Sequence, residues 1–257
     1  MTTREVLAAT GVGLLSFNSL KTVDKAATAI HHRTPPQIPL AIYDDASYQA
    51  NVRWARAWAF TQNRCVAVIA SQVNRGAAYG RNRLLEHFEA KGKRFVATVD
   101  ADIEVKSHWL VELARVMAEH DDCGIATWHY CNDHGGKFPV RGDGAVAETA
   151  SMCWLWRLDA VDAALGPDVV WGMDERLPLL SHDSEFSQRM KRCSRFRTFA
   201  SDRDLMTEIE RSHSTGGASK TISKQVHARR ALDNVIWAEL EAARGWKEGK
   251  EEVGPCE

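Results

Sequence analysis

The chain has 257 residues, 44% apolar and 26% charged, which is enough for one sizeable hydrophobic core and excludes disorder and low-complexity repeats. Its 33 basic and 34 acidic side chains leave a formal net charge of −1, so overall charge gives no push toward nucleic acid or an acidic membrane surface. No run approaches the roughly 20 apolar residues of a membrane span. The most apolar N-terminal stretch, residues 6–17, is cut by Thr10, Gly11 and Gly13 and lacks a basic leader with a cleavage pattern. Six cysteines without a C-x-x-C pair argue against a zinc module or a disulfide scaffold. The expectation is a cytoplasmic protein with reduced thiols.

Short apolar runs alternate with amphipathic ones as far as residue 130, the pattern of β-α units around a mostly parallel sheet. The alternation predicts strands over 12–17, 39–43, 65–70, 94–99 and 124–128, with helices over 20–31, 48–61, 81–90 and 109–120. Trp54 and Trp58, one turn apart on the second helix, read as core anchors. Residues 132–144 read as a Gly- and Asp-rich loop, followed by a strand over 150–156, helices over 159–165 and 183–192, and an amphipathic helix over 228–244 before a charged tail.

In an open α/β sheet ligands bind at the carboxyl ends of the strands, so the residues that end these strands carry the chemistry. Those ends read Ser16-Phe17-Asn18-Ser19, Asp44-Asp45-Ala46-Ser47, Asn74-Arg75-Gly76 and Asp100-Ala101-Asp102. Gly11-Val12-Gly13 precedes a strand and lacks a third glycine, and no Gly-Lys-Ser/Thr occurs, which disfavours a dinucleotide fold and a P-loop. Two carboxylates two residues apart at a strand end can converge on one hard cation, Mn²⁺ or Mg²⁺, while leaving positions open for a diphosphate.

Taken together, Phe17-Asn18, Asp44-Asp45-Ala46-Ser47, the run from Asn74-Arg75-Gly76 to Arg81-Asn82, Asp100-x-Asp102 and Trp109-Leu110 resemble the GT-A glycosyltransferases, in particular family 2. His182-Asp183-Ser184-Glu185-Phe186 with Arg189 is similar to that family's Glu-Asp-x-Asp-Phe-x-x-Arg segment, with His182 in place of the usual Glu. No Gln-x-x-Arg-Trp follows, so a processive polysaccharide synthase is not expected. The resemblance covers residues 11–192 and implies an α/β fold: a single Rossmann-like GT-A domain over 1–227 with a mostly parallel central sheet. Residues 1–130 would form its nucleotide-sugar half, 131–227 its acceptor and catalytic half, and 228–257 a C-terminal helical appendage.

The implied activity is metal-dependent transfer of a sugar from a nucleotide-diphosphate donor, in the first instance a UDP sugar, to an acceptor hydroxyl. Phe17, Asn18, Asp44, Asp45, Asn74, Gly76, Arg81, Asp100 and Asp102 would bind the donor. Asp102 would hold the metal with Asp100 as companion, and His213, in the polar Ser212-His213-Ser214-Thr215-Gly216-Gly217 loop, would supply a third ligand. Asp183 would be the general base, with a helix cap as its competing role and Glu185 as the fallback. Trp154, Trp156 and His182 are candidate acceptor contacts, core packing being the competing role of the two indoles. Between Arg189 and Arg230, eleven Lys or Arg face four acids, a local +7, so the acceptor could be an anionic polymer such as DNA as well as protein or a small glycan. A nucleotidyltransferase of similar core and a non-catalytic nucleic-acid- or sugar-binding module are the alternatives.

Overall fold

The computed structural model describes residues 1–128, 145–146, 152–165, 171–177, 182–209, 234–240 and 242. The chain opens with a short helix, α1 (Thr3–Ala8), which the apolar periodicity does not announce. Its signal is a capping box: Thr2 Oγ1 accepts the Glu5 N–H at 3.3 Å, and Glu5 Oε2 accepts the Thr2 N–H at 2.7 Å.

Then come β1 (Thr10–Ser16), α2 (Leu20–Arg33), β2 (Leu40–Asp44), α3 (Gln49–Thr61), β3 (Val66–Ala70), α4 (Ala77–Glu89), β4 (Phe95–Asp100), β5 (Ile103–Val105), α5 (Trp109–Glu119) and β6 (Cys123–Trp128). Every strand and helix predicted over this half is present. The second half adds β7 (Ala145–Val146), β8 (Cys153–Arg157), α6 (Leu158–Ala163), α7 (His182–Cys193), β9 (Arg197–Ser201) and β10 (Met206–Glu208). Residues 234–240 are helical, inside the amphipathic stretch expected over 228–244.

Eight strands form one sheet in the order β3-β2-β1-β4-β8-β6-β9-β7. The first four run parallel, β8 runs against both β4 and β6, and β9 runs parallel to β6, so the sheet is mostly parallel as expected. Strand alternation divides the core into two layers. One face packs Leu14, Ile42, Ala97 and Leu155 under α2 and α5. The other packs Tyr43, Val96, Trp154 and Trp156 under α4, α6 and α7. Gly11 and Gly13 serve this second layer: a Cβ would lie 2.2 Å from the Phe88 ring at Gly11 and 2.7 Å from Leu84 at Gly13. Their missing side chains let α4 sit directly on β1, which makes this pair a packing device and not a phosphate loop.

A separate antiparallel ladder joins β10 to β5 just after the Asp-x-Asp segment, and beyond it the Ile209 N–H donates to the Asp102 carbonyl at 2.7 Å. Among the described residues no helix is long and apolar enough to cross a membrane. Cys65, Cys123 and Cys153 are free, but Cys193 is disulfide-bonded, which corrects the expectation that the thiols are all reduced.

Candidate active site

The parallel registers set Ser16 beside Asp44 and Leu15 beside Asp100, so the carboxyl ends of β1, β2 and β4 form one edge. The loops leaving β1 and β2 are latched there. Asn18, in a left-handed conformation with φ 48°, donates its N–H to Ser47 Oγ at 2.8 Å and accepts the Tyr48 N–H on Oδ1 at 2.8 Å. Ser47 in turn donates its N–H to Asp44 Oδ1 at 2.8 Å, the turn that Asp-Asp-Ala-Ser favours. Phe17 beside this latch is 42% exposed, and Tyr48 is 70% exposed.

Asp45 is turned the other way. Its Oδ1 accepts the Arg75 N–H at 2.9 Å and its Oδ2 the Gly76 N–H at 2.8 Å, so a carboxylate sits at the positive amino end of α4. Gly76, with φ 93°, makes the entry to that helix possible. The Asn74 side-chain amide reaches the Asp45 carbonyl at 3.4 Å, while its Oδ1 is buried without a hydrogen-bond partner.

One turn into α4 the next two side chains separate. Arg81 points to the strand ends and is buried: Nη2 donates to Asp100 Oδ1 at 2.6 Å, and Nη1 lies 3.3 Å from His182 Nε2 at the start of α7. Asn82 clamps the segment 171–177. Its Oδ1 accepts the Met173 N–H at 2.8 Å, and its Nδ2 donates to the Met173 carbonyl at 2.9 Å. This clamp was not foreseen. The Arg-Asn pair was its signal, but the partner lies some 90 residues on.

The Asp100 carboxyl is pushed up to about 7. Burial is the leading cause, the Arg81 guanidinium opposes it, and the carboxylates of Asp102 and Asp183 add to it. Because 27% of the Asp100 side chain stays open, solvent screens part of that push. The crowding of three carboxylates about one point is what a divalent cation would relieve, and the oxygen donors of Asp100 and Asp102 suit Mn²⁺ or Mg²⁺. Among the described residues no group of three His, Cys, Asp or Glu side chains is placed to hold a metal, and His213 lies outside those residues.

α7 carries the remaining candidates. Asp183 is partly exposed in its first turn, and its Oδ1 accepts the Ser184 N–H at 2.9 Å. Glu185 is wholly buried in an ion pair with Arg189, which removes it as an alternative base. Trp154 and Trp156 are also wholly buried, and Trp156 Nε1 donates to Thr98 Oγ1 at 2.9 Å. The acceptor role considered for these indoles is corrected: alternation along β8 turns both onto the face covered by α4 and α7. His182, only 3% exposed, faces Arg81 and not an open acceptor cleft.

Three residues of the basic stretch, Arg189, Arg195 and Arg197, are engaged away from this site. Arg189 is spent on Glu185, and Arg195 stacks over Phe196. Arg197 pairs with Asp122 and begins β9 beside Cys123, at the amino end of β6. That end aligns through β8 with Phe95, a full strand of about 17 Å from Asp100. The strand β9 itself was not foreseen because its alternation is short and flanked by arginines.

The family model for Glycosyl transferase family 2 matches residues 12–164, more than half of the chain. No curated protein matches the sequence. Solved structures share the fold: a mannosyltransferase from Pyrobaculum calidifontis, in complex with GDP-Man and Mn²⁺, superposes with a TM-score of 0.63 at 15% identity over 93% of this chain and 76% of that one. S. aureus TarS 1-349 gives 0.60 at 17% identity over 86% and 69%. GalNAc-T7 with UDP, GalNAc and Mn²⁺ gives 0.59 at 14% identity over 74% of this chain and 42% of its own. With that family match over the GT-A fold, the chain belongs to glycosyl transferase family 2 and is a glycosyltransferase.

Proposed function

We propose that the protein transfers a sugar from a nucleotide-diphosphate donor, a UDP sugar in the first instance, to an acceptor hydroxyl, with Asp100 and Asp102 as cation ligands and Asp183 as general base. The observation that carries this reading is the Arg81 bridge, which ties Asp100 at the end of β4 to the α7 turn that bears Asp183. Donor-bound relatives of the same fold, one titled with GDP-Man and Mn²⁺ and another with UDP, GalNAc and Mn²⁺, support the donor class and the metal. Family membership also removes the nucleotidyltransferase and binding-module alternatives.

In this reading the base lies against the latch of Phe17, Asn18 and Asp44, and the diphosphate reaches toward Asn74, Gly76 and Arg81. Asp183 takes the proton of the acceptor hydroxyl as its oxygen attacks the anomeric carbon and the bond to the diphosphate breaks, releasing the nucleoside diphosphate. A divalent cation, when bound, neutralises charge on that leaving diphosphate. His213 is the further ligand. The division into a domain over 1–227 and an appendage over 228–257 is part of the same reading. Calorimetric titration of UDP and GDP sugars with Mn²⁺ and with EDTA is the test: binding of one donor only with the cation is expected, and no binding of either donor with Mn²⁺ would sink the reading.

A further inference from the structure

An arginine beside an aspartate ordinarily closes on it with two parallel N–H···O bonds, because the guanidinium fork matches the carboxylate. Arg81 splits its fork instead. Nη2 goes to Asp100 Oδ1, and Nη1 turns to His182 Nε2. Arginine carries donors only, so in this contact the imidazole Nε2 serves as the acceptor. Arg81 and His182 are 2% and 3% exposed, so no open solvent stands ready to replace the histidine as acceptor. Among the described residues Asp100 has no side-chain hydrogen bond besides the one to Arg81.

We propose that His182 is a positioning residue: by holding one nitrogen of Arg81 away from Asp100, it keeps the second Asp100 oxygen available to a cation. A neutral acceptor suits this task. It satisfies a buried N–H without adding a fourth carboxylate to Asp100, Asp102 and Asp183, and it leaves the arginine's charge facing Asp100. Without it, that nitrogen loses this restraint and can close on Asp100, so that the fork covers both oxygens. Removing an acceptor two hydrogen bonds away from Asp100 therefore weakens metal binding, as loss of groups that orient a ligand commonly does. The inference rests on the proposed metal site and concerns a residue that touches neither cation nor substrate.

The experiment titrates UDP into the full-length protein at a series of Mn²⁺ concentrations, with thermal unfolding of each variant recorded alongside. His182→Leu should raise the Mn²⁺ concentration for half-maximal UDP binding by about tenfold or more, while His182→Gln, whose amide oxygen can accept from Nη1, should stay within about threefold of wild type. A purely structural role would lower the unfolding temperature and leave the Mn²⁺ requirement of the folded protein alone. Should the leucine variant not fold, His182→Ala is read the same way. A folded Leu or Ala variant with the wild-type Mn²⁺ requirement overturns the proposal, as does a Gln variant impaired as severely as the Leu one. Wild-type binding of UDP that ignores Mn²⁺ overturns the metal site itself, and the proposal with it.

Discussion

Arg189 and Glu185, one turn apart on α7, form an ion pair closed to solvent on both sides, with Nε donating to Oε1 at 2.7 Å. Nη1 of the same arginine donates to the Ala164 carbonyl at 2.8 Å, and Nη2 reaches the Gly172 carbonyl. The pair thus anchors the helix that presents Asp183 onto the end of α6 and the turn at Gly172. Two acids two residues apart on one helix thus have different surroundings: Glu185 is buried against Arg189, and Asp183 is partly exposed.

The contrast is measurable. Glu185→Gln leaves Arg189 buried and uncompensated and should cost about 3 to 5 kcal/mol of stability. Asp183→Asn should change stability by about 1 kcal/mol or less, the worth of a surface cap, and lower turnover by about 10² to 10⁴. Full transfer by a folded Asp183→Asn protein would return that residue to a capping role.

Much of this was legible in the sequence where the determinants are local or periodic. The strand ends carrying Asp44 and Asp100, the helices between them and the order of the acids all follow from alternation and spacing. Distant pairings were not legible. Nothing near Asn82 says that its amide meets Met173, and although Glu185 and Arg189 sit one turn apart, nothing near them says that the pair is buried instead of facing solvent. Trp154 and Trp156 share a face of their strand in the sequence, but which layer covers that face is decided by α4 and α7.

Removing the outer carboxylate tests the metal site directly. Asp102→Ala should abolish the Mn²⁺-dependent part of UDP binding and lower transfer by roughly a hundredfold to a thousandfold, the usual worth of such electrostatic stabilisation. Equal calorimetric affinity for UDP in wild type and variant, each with Mn²⁺, would exclude Asp102 as a ligand.

The Asn82 clamp predicts a stability loss without a chemical one. Asn82→Ala strands the buried Met173 N–H and carbonyl and should cost about 1 to 3 kcal/mol. Gly172→Ala should be worse tolerated than an ordinary Gly→Ala change, since φ is 75° there and a Cβ would lie 2.3 Å from Asn82 Oδ1. Denaturant titration checks both, and unchanged midpoints would show that the 171–177 segment does not depend on the clamp.

Charge reversal separates the basic stretch from the site. Arg195 and Arg197 lie at the far end of the sheet and three strands across from β4, so more than a strand length, about 17 Å, separates them from Asp100, which is about two screening lengths or more at physiological salt. Arg195→Glu with Arg197→Glu should therefore leave the acceptor KM within about twofold of wild type at that ionic strength. A tenfold rise would bring back a large anionic acceptor that reaches across the sheet.

Acid should destabilise the fold in part through Glu112, which α5 holds against β9. Arg115 donates to both of its oxygens, at 2.6 and 3.1 Å, and Ser201 Oγ donates at 3.0 Å, bonds that hold the carboxyl below its ordinary 4.5 despite burial. The folded state therefore releases this proton more readily than the unfolded chain does. Its stabilising share is complete above pH 4.5 and is lost as pH falls through the lower, native value. Glu112→Gln should unfold at a lower denaturant concentration at pH 7 and show a shallower loss of stability between about pH 5 and pH 3 than wild type. Parallel stability curves for the two proteins over that range would mean that another carboxylate governs the acid response.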